Sequence, residues 1–206
     1  MSESGSYINK KEVLSFNDLD ESLTYSYANY LTWLFDERVE LIKGKIFKMS
    51  PEPSRLHQQV SIYISSSLFN YLGNKPCKVY TAPFDVRFPK ESKDDKDIYT
   101  VLQPDICVIC NPAKLDERGC IGAPDIVVEI LSPGNNKKEL LYKYQVYEEF
   151  GVKEYWVVSP ADKTFLKYTL DQNGRFNPSR LFTLSEKVSS EVLPGFELNL
   201  DEVFED

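Results

Sequence analysis

Gly122-Ala-Pro-Asp-Ile-Val-Val-Glu-Ile-Leu-Ser-Pro133 is a short apolar run fenced by two prolines. Asp125 to Leu131 is rich in β-branched residues, which marks a central strand rather than a helix. Side chains alternate along a strand. Ile126, Val128 and Ile130 therefore face one way, and Val127, Glu129 and Leu131 the other. Glu129 is a carboxylate set between two apolar neighbours. A charge on an apolar background is costly unless it is paired or metal-bound, so chemistry is expected here first. Upstream, Pro104-Asp-Ile-Cys-Val-Ile-Cys110 is a second run of the same kind, with Asp105 at its start as its one charge.

A helix follows the first run. Leu140, Tyr144 and Tyr147, flanked by Leu141 and Phe150, repeat at the helical period and form an apolar stripe. Lys143 falls inside that stripe at about 100° per residue. An amine there either snorkels out along its stem or meets a carboxylate. Glu129 and Asp105 are the expected partners.

The chain has 206 residues and a net charge of −8. That length suits one core: a tail with a short helix over residues 1–23 and a single domain over 24–206. The acidic balance argues against a broad nucleic-acid surface, so any such contact must come from local basic residues. Cys107 and Cys110 have C-x-x-C spacing, but on one strand their side chains diverge, whereas a zinc knuckle needs a turn. The four cysteines therefore read as small core residues in preference to metal ligands or a disulfide. No signal peptide or membrane-length apolar span is present, which predicts a cytoplasmic protein with reduced thiols.

Residues 1–10 read as a loose tail and 14–35 as helical. Val39-Glu-Leu-Ile, Lys43-Gly44 and Lys45-Ile-Phe-Lys-Met49 form a hairpin signal. Glu40 shares a strand face with Ile42. Ser54 is a good N-cap for a helix over Arg55 to Leu72, with Leu56, Val60, Ile64, Leu68 and Leu72 as its buried stripe. His57 is the chain's single histidine, beside that stripe. Residues 78–88 read as one strand, and 111–122 as a turn-rich connection. Asp94, Asp95 and Asp97 lie in a charged loop that lacks the glycine and terminal glutamate of a calcium loop. Strands are expected after Gly151 and over Thr164 to Leu170. Asp201 is expected to cap a final helical turn. The order of elements is α/β with a mixed β-sheet flanked by helices.

An Asp and a Glu from adjacent strands can hold Mg²⁺ through oxygen ligands. A nearby lysine can orient a water and offset charge on a phosphoryl transition state. The set suits metal-assisted phosphodiester hydrolysis.

The chain also resembles a family. The ordered blocks Glu40-Leu-Ile-Lys-Gly44, Met49-Ser-Pro51, His57, Ala82-Pro-Phe-Asp-Val86, Gln103-Pro-Asp105, Gly122 to Pro133, Lys143, Tyr147 and Gly151-Val-Lys-Glu-Tyr-Trp156 look like the Uma2 family. That family is also known as domain of unknown function 820, on the PD-(D/E)XK restriction-endonuclease-like fold. The resemblance spans about Tyr25 to Phe204. It implies an endonuclease using Mg²⁺ or Mn²⁺, with Asp105 and Glu129 as metal ligands and the Ile130 carbonyl as a third. Glu40 matches the acid that precedes them, and His57 would contact phosphate or the metal's surroundings. The superfamily's lysine two residues after the second acid is replaced here by Leu131; Lys143 on the following helix takes its place. Glu139 stands where relatives often carry Asp.

The expected substrate is nucleic acid, DNA in preference to RNA, cut by a homodimer, with no membrane partner. Lys43, Lys45, Arg55, Lys137 and Lys138 are candidate backbone contacts. The alternative is a catalytically inactive nuclease-fold module that binds or assembles. A third reading makes the buried charges a purely internal lysine–carboxylate network.

Overall fold

The computed structural model describes residues 13–49, 54–132 and 137–205, and of Lys137 the backbone alone. The expected tail over residues 1–10, Ser50-Pro51 and Pro133 lie outside the described residues.

The region expected to be helical holds only a 3₁₀ turn, Phe16–Asp18, and helix α1 (Tyr27–Tyr30). Its apolar residues instead build an aromatic cluster in which Trp33 meets Tyr25, Tyr30 and Phe35. Strands β1 (Val39–Ile42) and β2 (Lys45–Lys48) form the expected hairpin. Lys43 and Gly44 take φ of 52° and 77° at its turn, the left-handed pair that matches strand twist. Helix α2 (Arg55–Leu72) starts where expected, with Ser54 Oγ accepting from His57 N at 3.2 Å. Val60, Ile64, Leu68 and Leu72 are buried on it, each worth about 1.5–3 kcal/mol.

The single strand expected over 78–88 is two strands, β3 (Lys78–Thr81) and β4 (Asp85–Arg87), in different sheets. The break falls at Ala82-Pro83, because proline cannot donate to a ladder. Strands β5 (Val101–Leu102) and β6 (Ile106–Ile109) follow. The expected turn-rich connection contains a small hairpin, β7 (Leu115–Asp116) and β8 (Gly119–Ile121). Strand β9 (Ile126–Ile130) and helix α3 (Lys137–Phe150) come next. The chain closes with β10 (Glu154–Ser159), β11 (Thr164–Leu170), β12 (Phe176–Pro178), β13 (Lys187–Ser189), β14 (Glu197–Asn199) and α4 (Leu200–Val203). Asn199, not Asp201, caps α4: its side chain accepts from Asp201 N.

Two six-stranded mixed sheets result, β2-β1-β5-β4-β8-β7 and β12-β11-β10-β9-β6-β3, with a β13-β14 ladder beside them. Helix α3 is the crossover between the parallel strands β9 and β10. The alternation read from the sequence holds. Ile126, Val128 and Ile130 pack with α2 and α4 in one core cluster, whereas Val127 joins Val146 and Tyr147 of α3 in another. A third, small cluster on the first sheet joins Tyr27, Leu41, Ile98 and Val101. The buried face of α3 centres on Lys143, Val146 and Tyr147, about one position round from the expected stripe, and Leu141 is exposed.

The cysteine reading needs correction. Cys77 and Cys110 form a disulfide, with Sγ–Sγ 2.04 Å. Lys78 pairs with Ile109 in the β3–β6 ladder, so one step further the two cysteines face each other. Cys107 and Cys120 are free and buried.

Two acids hold strand ends together. Asp125 accepts from Cys110 N at 2.7 Å and pairs with Lys153 at 2.7 Å. Glu154, fully buried, accepts from Trp156 Nε1 at 2.9 Å and from Glu191 N at 2.5 Å, which fixes the loop before β14.

Candidate active site

The chain crosses from the first sheet to the second at Gln103-Pro104-Asp105, between β5 and β6. Nearby, Ala82 N donates to Asp105 O at 3.0 Å, so the β3-to-β4 crossing runs alongside. The candidate site lies where the two sheets part. Ile106 pairs with Val128 across β6 and β9. One step further that register sets Asp105 opposite Glu129, and antiparallel partners share a face. Both acids therefore point to the α3 side.

Asp105 is held at both oxygens. Oδ2 accepts from Ile130 N at 2.7 Å, and Oδ1 lies 3.2 Å from His57 Nε2. The His57 Nδ1 atom is buried without a hydrogen-bond partner among the described residues. Glu129 accepts from the Tyr147 hydroxyl at 2.6 Å through Oε1 and from Lys143 Nζ at 3.2 Å through Oε2. Tyr147 sits four residues beyond Lys143, so one helix face delivers both donors.

Glu40 reaches the same amine from the other sheet. Its Oε1 accepts from Gln103 N at 2.8 Å, and its Oε2 lies 3.0 Å from Lys143 Nζ. That second contact is an ion pair without hydrogen-bond alignment, which leaves Oε2 a buried oxygen with no aligned donor among the described residues. Glu139 Oε1, one turn earlier on α3, lies 3.8 Å from the same amine.

Three carboxylates thus converge on one ammonium, with Asp105 beside them. The charge balance is negative in a dry place, and the titration behaviour follows. Burial first, and the Asp105 and Glu40 charges after it, push the Glu129 carboxyl up to about 8, although Lys143 and the Tyr147 hydroxyl pull the other way. Burial also works against the Lys143 ammonium, but Glu129, Glu40 and Glu139 outweigh it and keep the amine charged. The amine is fully committed; the surplus is on the acids.

Arg38, Met49, His57, Ala82, Asp105, Glu129, Ile130 to Ser132, Glu139 and Lys143 line a cleft of about 140 Å³. Glu40 lies behind it, fully buried. The structure therefore brings together all the sequence-predicted residues, Glu40, Asp105, Glu129, Ile130, Lys143 and His57, with Glu40 one step back behind the Lys143 amine. Among the described residues no group of three or more His, Cys, Asp or Glu side chains is gathered to hold a metal ion by side chains alone.

The backbone-contact candidates fare differently. Lys43 pairs with Glu149 at 3.6 Å and borders other hollows. Lys45 donates to the carbonyls of Ser22 and Leu23, both at 2.9 Å. Arg55 holds Gln59 at 3.0 Å, and Lys138 rides 5.7 Å from the Tyr142 ring centre. None of these four lines the cleft, and the Lys137 side chain lies outside the described residues. Arg38 was missed. Its position two residues before Glu40 was the available signal, since that parity puts it on Glu40's side of the strand's line.

A mixed sheet that carries an Asp and a Glu on neighbouring strands, with a lysine from the crossover helix against the Glu, is of the restriction-endonuclease-like class. Sequence and structure comparisons agree. The model of the Uma2 family, described as "Putative restriction endonuclease", matches residues 27–201, and the chain belongs to that family. It is similar to the uncharacterized protein slr1290 of Synechocystis sp., 25% identical over 148 residues, which covers 70% of this chain and 74% of the relative. It also shares its fold with the crystal structure of a putative nuclease belonging to DUF820 from Anabaena variabilis. The TM-score is 0.68 at 20% identity, covering 87% of this chain and 97% of that one. No helix among the described residues is long and apolar enough to cross a membrane.

Proposed function

We propose that this protein is a divalent-metal-dependent endonuclease that hydrolyses phosphodiester bonds of nucleic acid, DNA in the first instance. One observation carries the reading most: Asp105 and Glu129, on adjacent strands, open onto a single cleft with the Lys143 ammonium 3.2 Å from Glu129.

The donor set fits Mg²⁺ or Mn²⁺. Hard cations take carboxylate and carbonyl oxygens and keep several waters, so two acids and the Ile130 carbonyl suffice. The surplus negative charge, with a Glu40 oxygen that has no aligned donor, gives a cation an electrostatic reason to enter. When bound, it would supply charge stabilisation at the scissile phosphate and acidify a water.

The chain's own residues divide the remaining work. Lys143 holds Glu129 in place and presents positive charge toward the phosphate. Glu40 fixes Lys143. His57 and the Ile130 amide orient Asp105, and the Tyr147 hydroxyl orients Glu129. Cutting both strands of a duplex calls for two such sites, which a homodimer would supply.

Cleavage of supercoiled plasmid in Mg²⁺ or Mn²⁺ tests the reading. Asp105→Ala and Glu129→Ala should each lower the rate by at least about a hundredfold, in line with losing charge stabilisation of about 3 kcal/mol. Wild-type rates in either purified variant would remove the assignment. A second reading, a nuclease-fold module that binds without cutting, is favoured by the Lys143 amine already bridging Glu40 and Glu129. Calorimetric titration separates the two, because a non-cutting module of this kind would take up no Mg²⁺ at millimolar concentrations.

A further inference from the structure

The cleft poses a problem of charge. Asp105, Glu129 and Glu139 line it, Glu40 backs it, and the whole chain carries −8. A phosphodiester has to enter against that field. Lys143 cannot greet it alone, since its amine already contacts three acids. His57 is turned to Asp105. Among the described residues lining the cleft, Arg38 is the remaining cation, and it is exposed at the mouth.

Its guanidinium is also held. Arg38 Nε and Nη2 both donate to the Gln103 side-chain carbonyl, at 3.1 and 2.7 Å. Gln103 is itself fixed and largely buried. Its side-chain amide donates to Asp85 Oδ1 at 2.8 Å and to the Tyr30 hydroxyl at 3.1 Å, and the Tyr27 hydroxyl secures Asp85 at 2.8 Å. The backbone N–H of the same Gln103 holds Glu40. One residue therefore sets both an acid of the charge cluster and the guanidinium at its mouth. The Gln103 contact uses Nε and Nη2, so Nη1 is not engaged by it, and a guanidinium fork matches phosphate geometry. An arginine kept merely for solubility would need no such support.

We infer that Arg38, positioned by Gln103, is the residue that docks a backbone phosphate of the nucleic-acid substrate at the mouth of the cleft. This rests on the nuclease reading and adds to it the group that lets an acidic site accept a polyanion.

The test is binding of a fluorescent duplex oligonucleotide across a range of NaCl concentrations, in a Glu129→Gln background so that the probe stays intact. Each phosphate contact contributes about 0.9 to the slope of log affinity against log salt on duplex DNA. Arg38→Ala should weaken binding about tenfold, as expected for one charge-assisted hydrogen-bond pair. It should also make the salt slope shallower by about 0.9. Arg38→Lys should keep the slope, because the charge remains. Gln103→Ala should weaken binding while the slope is kept, because the guanidinium is present but unheld. An Arg38→Ala protein with the affinity and slope of its background overturns the inference while leaving the nuclease reading intact. A Glu129→Gln background that binds no oligonucleotide, alongside a wild type that cuts none, overturns both.

Discussion

Glu129 shows how much a single side chain can reveal. Its place between Val127 and Leu131 was legible because alternation along a strand is a local property. Its contact with Lys143 was legible because charges on apolar faces must find each other, whereas Asp105, also expected at that amine, meets His57 and Glu40 stands beside Lys143 instead. Glu129 also makes the site sensitive to pH. Its folded carboxyl holds a proton up to about 8, against an ordinary value of 4.5, mainly because it is buried. The folded state therefore binds that proton more tightly than the unfolded chain does. The stabilisation is fully present below 4.5 and is lost as pH rises through about 8. In EDTA, the urea midpoint should fall between pH 6 and pH 8.5, and the fall should be smaller in Glu129→Gln. Added Mg²⁺ should restore the midpoint most at the higher pH, where no proton competes for the acids. A midpoint that rises over this range would mean that Glu129 is ionised throughout, its charge met by Lys143.

At the level of elements, the long capped helix α2, the β1–β2 hairpin and strand β9 were readable, whereas the division of the remaining short strands between the sheets was not. The α2 boundaries follow from Ser54 and from a stripe spaced by fours that ends at Leu72. The β7–β8 hairpin and the split of β3 from β4 depend on which sheet each strand joins, and no local periodicity encodes that choice. The aromatic-rich segment before β1 carries helical spacing, yet only a 3₁₀ turn and one α-helical turn form. Its rings pack against each other and on the first sheet, which offsets the lost helix. The Cys77–Cys110 bond went unread for the same reason: the two residues become neighbours only once β3 and β6 pair in register. The bond closes a span of 33 residues and ties the edge strand of the second sheet to its neighbour. Loop closure of that order is worth about 2–4 kcal/mol. A Cys77→Ser, Cys110→Ser protein, or wild type in excess dithiothreitol, should lose stability of that size by chemical denaturation. Its plasmid cleavage should be unchanged at 25 °C, since neither cysteine lines the cleft. Lost cleavage in a protein that remains folded would tie the edge strand to the site.

For the whole molecule, the acidic balance and the proposed substrate pull against each other, and the cleft shows how both can hold. A chain of net charge −8 repels a polyanion at long range. The candidate backbone lysines of the β1–β2 turn and of β2, Lys43 and Lys45, are occupied by Glu149 and by main-chain carbonyls, so these two do little to offset that repulsion. Among the described residues lining the cleft, attraction then falls to Arg38 and to a cation that would balance Asp105 and Glu129. Binding of nucleic acid and binding of metal should therefore be coupled, each raising affinity for the other by the same factor. With Glu139 also at the cleft, removing the cation exposes several carboxylates to the incoming phosphate. At fixed ionic strength, replacing Mg²⁺ by EDTA should weaken oligonucleotide binding by at least about tenfold, a coupling of about 1.4 kcal/mol. Calorimetry should find Mg²⁺ affinity raised by the same ratio when the oligonucleotide is present. Equal oligonucleotide affinity with and without the metal would place the nucleic-acid surface somewhere other than this cleft, because a phosphate seated beside Asp105, Glu129 and Glu139 would respond to any change in their charge.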